Sequence, residues 1–556
     1  MDEKKILAYA LENSLRYEKA MPNSVINALF NEGLKKEEIP KIIPKLRKIV
    51  EKVNSMTRQE REVQFATLLD FVKKREVREG LPDLANAKEG KVVLRYAPYP
   101  SGPLHIGNAR QAVLNDEYAK IYNGKLLLVM DDTIGSEEKA LLKEAYKLIP
   151  KGLDWLKIKY DKKVIYKSER LEIYYKYAQE LIKKEYAYVC SCNQAELRRN
   201  RLEMKECGCR QLPVKEQIGR WKKMFKAGEG EYVLRIKTSM QDKNPAFRDR
   251  VLFRISQREH PLTGKKYRVW PLLEFSWAVD DHLLGITHII RGKELEIESQ
   301  MEEFIWKIFG WNKIEIIHTG LLRLEGVKIS KSKGQKEVKA GRYTGWDDPR
   351  LWSLQSLEKR GIQPEALRKF IINLGLTKSE TTVPIDILYS ENRKIVEKSK
   401  RYFFIANPIR IRIKGFDKAR LEIPSHPELN LGNRKFKVSN EFFISQKDRQ
   451  NIKKGYFRLM HLLNFDSSLK FVSKEHDKNL KAVPIHWLPA DSENMKQLVN
   501  INVRMPDGKL VEGLGEESIK KVKKGEIVQF ERFAFCRFDK IAKDGARTHE
   551  FWFGHG

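Results

Sequence analysis

Residues Lys91 to Asn108, KVVLRYAPYPSGPLHIGN, restrict the fold more than any other stretch of this chain. An apolar strand, Val92 to Tyr96, runs into a loop stiffened by Pro98, Pro100, Gly102 and Pro103. A helix follows, beginning His105-Ile-Gly-Asn-Ala-Arg-Gln-Ala-Val-Leu. Strand, tight loop and helix N-terminus together make a phosphate cradle, because free N–H groups and the positive end of the helix dipole point at the anion. His105 and Asn108 are three apart. In a first helical turn they share one face and reach the same phosphate or ribose.

A partner segment lies far downstream, Lys328 to Ser332, KISKS, between Gly326 and Gly334. Lys328 and Lys331 offer charge to a triphosphate. Ser330 and Ser332 hold the loop or donate hydrogen bonds. By itself KISKS reads more readily as a solvated basic loop, and a lone HxGN is a weak signal.

Together, in this order, the two segments resemble the HIGH and KMSKS signatures of class I aminoacyl-tRNA synthetases. The flanks narrow the branch. RYAPYPSGPLH (Arg95 to His105) is similar to the R-F-A-P-x-P-[ST]-G-x-L-H of glutamyl-tRNA synthetases, and VDDHLLGITHIIRGKE (Val279 to Glu294) to their VDDHLxGxTHVxRGxD block. Gly345 to Leu351, GWDDPRL, resembles a motif shared by the archaeal glutamyl and the eukaryotic-type glutamyl and glutaminyl enzymes. Resemblance to the archaeal-type glutamyl enzymes runs along nearly the whole chain.

The resemblance implies a two-step ligase reaction: ATP, with Mg2+, activates L-glutamate, and the glutamyl group passes to the 3′ end of tRNA(Glu), with tRNA(Gln) a second candidate acceptor. It implies nucleotide binding by Tyr99, Pro100, Ser101, Gly102, Pro103, Leu104, His105, Gly107 and Asn108, and by Ser330, Lys331 and Ser332. His105, Asn108, Lys328 and Lys331 carry the catalysis, through position and charge rather than a covalent intermediate. Asp131 falls where the family has the acidic residue of R-F-[ED]-D-T that faces the substrate ammonium; the other reading is that Asp131 and Asp132 only cap a helix. Arg95 and Arg291 end two strands. If they converge, their forks suit a γ-carboxylate in two-point fashion, which favours glutamate over glutamine.

Charge agrees with a polyanionic partner. Lysine and arginine number 107 against 75 acidic residues, a net of +32 in 556 residues, and such an excess favours nucleic acid. No apolar run of 18 residues exists, so no spanning helix and no membrane partner are expected. The N-terminus lacks a signal peptide's apolar region, which predicts a cytoplasmic protein. The absence of a long apolar surface helix predicts a monomer.

The expected fold is multidomain α/β plus all-β: a Rossmann-like catalytic domain with an inserted acceptor-end domain, a helical linker, two C-terminal β-barrels and an N-terminal helical extension. The boundaries read as follows. Residues 1–85 form the extension, with helices over 3–20, 24–32, 41–54 and 57–80. Pro44 falls in the first turn of the third, and Pro22, Gly33 and Pro40 mark breaks. Residues 86–189 and 261–325 form the catalytic domain, in which Trp277-Ala-Val and Ile286 to Arg291 read as strands. Residues 190–260 are the insert, whose basic clusters (Arg198, Arg199, Arg201; Lys222, Lys223, Lys226) fit phosphate contact or a solvated face. Residues 326–400 carry KISKS and then helices Pro349 to Lys359 and Pro364 to Leu374, from which Trp346, Arg350, Lys359 and Arg360 face tRNA. Residues 401–556 alternate at period two between Gly and Pro turns, which suggests β-barrels; the resemblance gives them the anticodon. Cys536 is a buried small residue.

Four further cysteines, Cys190, Cys192, Cys207 and Cys209, form two close pairs that suit a structural, tetrahedral Zn2+ site. The other reading is a reduced, metal-free cluster.

The chain departs from the family pattern at Asn108 (second histidine of HIGH), Val129 (arginine of R-F-[ED]-D-T), Ile134-Gly135 (Asp-Pro) and Leu273 (a pocket tyrosine of bacterial enzymes). These leave two rivals: a glutaminyl enzyme, and a non-catalytic tRNA-binding protein.

Overall fold

The computed structural model describes residues 2–17, 19–30, 32–72, 80–135, 140–327, 331–543 and 547–556. The chain divides into two units, 1–79 and 80–556.

In the first unit, helices Glu3–Tyr17, Pro22–Phe30, Ile39–Ser55 and Arg58–Ala66 bury Ile6, Leu11, Val25, Leu29, Leu46, Val50 and Val53. Two boundaries differ from the expected ones. Pro22 opens its helix rather than breaking it, and Ile39 starts the third helix early enough to place Pro44 in its second turn. The fourth helix stops at Ala66 and gives way to a short turn of 3-10 helix, Leu69–Phe71; the rest of the expected 57–80 span lies largely outside the described residues.

The second unit is built on a five-stranded sheet. Its order is Ile165–Tyr166, Lys125–Met130, Val93–Tyr96, His288–Gly292, Glu315–Thr319, and every pairing is parallel. From Val93–Tyr96 the chain crosses by helix Ile106–Ile121 to Lys125–Met130 on one side. The strand on the other side, His288–Gly292, arrives only after the insert. The topology therefore switches between Val93–Tyr96 and His288–Gly292, and ligands of open α/β sheets bind at the carboxyl ends of such strands.

Trp277 to Val279 correct the sequence reading. They lie in helix Leu273–Leu283, not in a strand, and Glu274 through Asp281 are all buried. A helix buried on every side has no amphipathic period, so its apolar run cannot be told from a strand.

Between the two halves of the parallel sheet stands an antiparallel one: Ala187–Cys190, Val233–Ile236, Val251–Ile255 and Val269–Pro271. Its strands begin before residue 190 and end after residue 260. Helices Leu354–Lys359, Pro364–Leu374 and Asp386–Val396 follow. The first is shorter than the expected Pro349 to Lys359, because the Ser353 hydroxyl accepts the Ser356 N–H and caps it there.

The C-terminal strands enclose two separate cores. Arg401–Tyr402 and Phe404–Ala406 are the two edges of a seven-stranded sheet completed by strands between Val499 and His555. Its edges are thus consecutive in the chain, and its core holds Phe404, Val528, Phe530, Cys536 and Phe551. Strands between Pro408 and Pro489 surround Phe442, Phe465 and Trp487. Asp507-Gly508 makes the expected tight turn, with Gly508 at φ 88°. Among the described residues no helix is long and apolar enough to cross a membrane.

Candidate active site

The loop after Val93–Tyr96 is fixed from two directions. His105 is the N-cap of helix Ile106–Ile121. Its Nδ1 accepts the Asn108 N–H, and the Asn108 amide oxygen accepts the His105 N–H, both at 3.3 Å. Two of the helix's orphan donors are met reciprocally, in the manner of a capping box. His105 therefore precedes the helix rather than sharing a helical face with Asn108. Gly107 leaves the ring room, since a Cβ there would lie 3.0 Å from the imidazole Cε1. From outside, residues 352–354 pin the loop: Ile106 N–H donates to the Trp352 carbonyl (3.1 Å) and Leu354 N–H to that of Leu104 (2.9 Å).

Trp346 joins the loop to the downstream signature. A Cβ on Gly102 would meet its ring at 3.4 Å, and one on Gly334 at 3.9 Å. The indole N–H donates to Glu144 Oε2 at 3.0 Å. Gly334 belongs to helix Lys331–Lys339, whose backbone opens at the second lysine of KISKS. Lys328 and Ser330 lie outside the described residues, as do the side chains of Lys331 and Ser332.

At the switch point three cations surround one indole. Arg95 Cζ lies 4.9 Å from the centre of the Trp277 ring, Arg291 Cζ 5.2 Å and Lys167 Nζ 4.8 Å. The two arginines converge, as the two-point reading of the γ-carboxylate requires, but both forks are engaged. Arg95 grips Asp281 through Nε and through Nη2, the latter at 2.8 Å from Oδ2. Arg291 grips Glu302 through Nη1 (2.7 Å) and Nη2 (2.9 Å) and also donates to Ser299 Oγ. Asp131 is likewise taken, by Lys167 Nζ at 3.0 Å from Oδ1. Burial works against the charge on Arg95, yet the Asp281 carboxylate more than offsets it and holds the guanidinium above its usual range. Burial pushes the Glu302 carboxyl up, against the pull of Arg291.

Asp132 is structural. It accepts from Ser168 N–H (2.9 Å), Ser168 Oγ (2.7 Å) and Tyr146 OH (3.1 Å). Tyr99 OH accepts the Gly135 N–H at 3.4 Å, and a Cβ on Gly135 would lie 2.9 Å from that oxygen, so this departure from Asp-Pro makes room for the tyrosine.

Comparison with known proteins decides the family. Residues 91–398 match the model described as tRNA synthetases class I (E and Q), catalytic domain; 399–485 and 484–539 match two models described as their anti-codon binding domain. The chain belongs to the class I tRNA synthetases of the E and Q type.

Curated relatives match end to end. A glutamate–tRNA ligase of Pyrococcus furiosus is 42% identical, with 98% of both chains covered. Those of Methanocaldococcus jannaschii and Methanothermobacter marburgensis are 39% identical, covering 98% and 97% of this chain and 98% of their own.

Two arginines of this synthetase expected to face tRNA are engaged within the protein. Arg360 faces the interior. It is 1% exposed and donates to the Gly554 carbonyl (3.0 Å) and Tyr389 OH (2.9 Å), so it ties the helices to the last strand instead of reaching RNA. Arg350 is partly exposed, paired with Asp348 and stacked 4.0 Å over Tyr343.

The four cysteines do come together. Their sulfurs all lie within 4.8 Å of one another, and Cys190 and Cys207 are 3.7 Å apart. A ZnS4 tetrahedron with Zn–S near 2.3 Å has edges of about 3.8 Å, so the donor set fits the ion. Arg235 Nη1 approaches Cys190 (3.9 Å) and Cys207 (3.8 Å), and Arg220 Nη1 approaches Cys209 (3.5 Å). These cations suit a cluster of thiolates.

The sequence reading missed Lys167, Trp277, Ser299 and Glu302. Ser299 and Glu302 are three apart on helix Glu296–Phe309, a spacing that puts both on one face beside Arg291. For Lys167 no local signal exists.

Proposed function

We propose that this chain is a glutamate–tRNA ligase, and that the signature loop, the KISKS segment and the Trp277 pocket are its catalytic site. The observation that carries the reading is the end-to-end match to glutamate–tRNA ligases in a chain whose phosphate-cradle loop sits at the switch point of a parallel sheet.

In the first step the glutamate α-carboxylate attacks the α-phosphorus of ATP and pyrophosphate leaves. In the second a hydroxyl of the terminal ribose of tRNA attacks the carbonyl carbon of the adenylate, and AMP leaves. His105 and Asn108 face phosphate and ribose at the helix N-terminus. Lys328 and Lys331 neutralise charge as it develops on the phosphates. Mg2+ enters as the nucleotide's counter-ion, held through phosphate oxygens. Asp131 receives the substrate ammonium, and Arg95 and Arg291 set the field that holds its carboxylates. A bound glutamate competes with Asp281 and Glu302 for those forks, so binding rearranges the pairs.

The antiparallel sheet inserted after Tyr186 takes the acceptor end, with Cys190, Cys192, Cys207 and Cys209 holding a structural Zn2+. Residues 401–556 form the two barrels that read the anticodon; their matches to anti-codon binding domains support this. Trp346 and Arg350 serve the tRNA side of the helical segment.

Aminoacylation with four pairings, glutamate or glutamine on tRNA(Glu) or tRNA(Gln), tests the proposal. Glutamate on tRNA(Glu) is the expected product, and glutamate on tRNA(Gln) as well would mark a non-discriminating enzyme. Glutamine charging would overturn the amino-acid assignment. No charging with tRNA still bound would leave a binding protein.

A further inference from the structure

We infer that Lys167 is a specificity-determining residue, the third cation of the amino-acid pocket, and that its charge selects a substrate with a γ-carboxylate over one with a γ-amide. The inference rests on the ligase reading above and assigns that site a residue which no sequence motif marks.

Lys167 is fully buried. Its ammonium sits between Asp131 Oδ1 (3.0 Å), Ser276 Oγ (2.9 Å) and the face of Trp277 (4.8 Å). Burying an ammonium costs several kcal/mol unless charge and hydrogen bonds offset it. The site supplies all three kinds of partner, including the negative face of the ring. Because Arg95, Arg291 and Lys167 lie about one indole at similar radii, no two of them are further apart than twice that radius.

Counting charge around Trp277 gives the consequence. Three cations, Arg95, Lys167 and Arg291, face three carboxylates, Asp281, Asp131 and Glu302. The neighbouring Asp280 is matched separately by Arg170. Loss of Lys167 leaves Asp131 without its cation and makes the pocket more negative by one charge. Glutamate brings a net charge of −1 and glutamine brings none. Removing the lysine charge therefore raises the electrostatic cost of glutamate while leaving that of glutamine nearly unchanged. Two unit charges at this range in a protein interior interact strongly enough for about a tenfold effect or more.

The experiment uses the full chain in tRNA-supported ATP–pyrophosphate exchange. It compares wild type, Lys167→Gln and Lys167→Arg, with KM and kcat measured for glutamate and the inhibition constant measured for glutamine. The expected result for Lys167→Gln is a KM for glutamate raised about tenfold or more, kcat changed by less than about threefold, and glutamine inhibition unchanged. Lys167→Arg should restore most of the loss. Equal losses for glutamate and glutamine would overturn the proposal and leave Lys167 a structural residue. Tighter binding of both would also overturn it, because Lys167 would then be competing with the substrate ammonium for Asp131. If Lys167→Gln does not fold, Lys167→Met removes the same charge and carries the same expectations. A wild-type chain that activates neither amino acid, even with tRNA present, defeats the ligase reading itself; a wild-type chain that activates glutamate and a variant with an unchanged glutamate-to-glutamine ratio defeats only the role of Lys167.

Discussion

His105 and Asn108 cap the first helix of the catalytic sheet through each other, imidazole to backbone and amide to backbone, both at 3.3 Å. The asparagine that replaces the second histidine of the signature thus has a defined task. It holds the turn that presents the first. Asn108→Ala should cost about 0.5–1 kcal/mol of stability, the usual price of a lost cap. It should also slow adenylate formation, because His105 loses its fixed orientation. Chemical denaturation and ATP–pyrophosphate exchange measure the two effects. An unchanged exchange rate would show that the cap does not position the imidazole.

Lys331 begins helix Lys331–Lys339, which packs through Gly334 against Leu351. Lys331 is the second lysine of KISKS, the residue that the family resemblance sets on the triphosphate. Lys331→Ala should cut adenylate formation by about 10²-fold, the size of one lost preorganised charge, with tRNA binding retained. Equal activity in mutant and parent would remove Lys331 from the chemistry.

The strand, loop and helix of the signature segment were legible because Pro98, Pro100, Gly102 and Pro103 punctuate them at fixed positions, and such punctuation is local. What failed was non-local. Trp277 was misread because residues 274–281 of its helix are all buried and give no period. Arg360 was misread because a cation on a short helix looks solvated, whereas its carbonyl partner in the last strand lies 194 residues away. Lys167 was silent for the same reason: Asp131 comes to it from one distant segment, and Ser276 and Trp277 from another. Resemblance singled out Asp131 and Arg291, but not the Lys167 and Glu302 that pair with them. Composition and period report what one element needs, while a buried ion pair reports what two distant elements need of each other.

The cysteine cluster predicts a measurable metal. Purified protein should carry about one zinc per chain, since four thiolates close a tetrahedral site and leave no open position. Cys207→Ser should lower the metal content well below that and reduce thermal stability, because Cys207 is a buried member of the set beside Cys190 and Arg235. Elemental analysis of wild type and variant checks both statements. Four freely titrating thiols and no zinc in the wild type would establish the reduced cluster instead.

The C-terminal unit carries a pH signature. His486 is buried, its Nε2 has no hydrogen-bond partner among the described residues, and burial, with Arg532, Arg434 and His461 nearby, holds its imidazole down to about 3. In the unfolded chain a histidine titrates near 6.5. Its folded value is depressed, so the neutral ring contributes stability that is fully present above pH 6.5. That stability is lost as pH falls, because the unfolded state takes up a proton that the folded state refuses until about pH 3. One such group costs up to about 1.4 kcal/mol per pH unit. Going from pH 7 to pH 5 should therefore destabilise the wild type about 2 kcal/mol more than His486→Leu, as measured from denaturation midpoints of both proteins at both pH values. Parallel losses would mean that the imidazole is protonated and paired in the folded protein at pH 5.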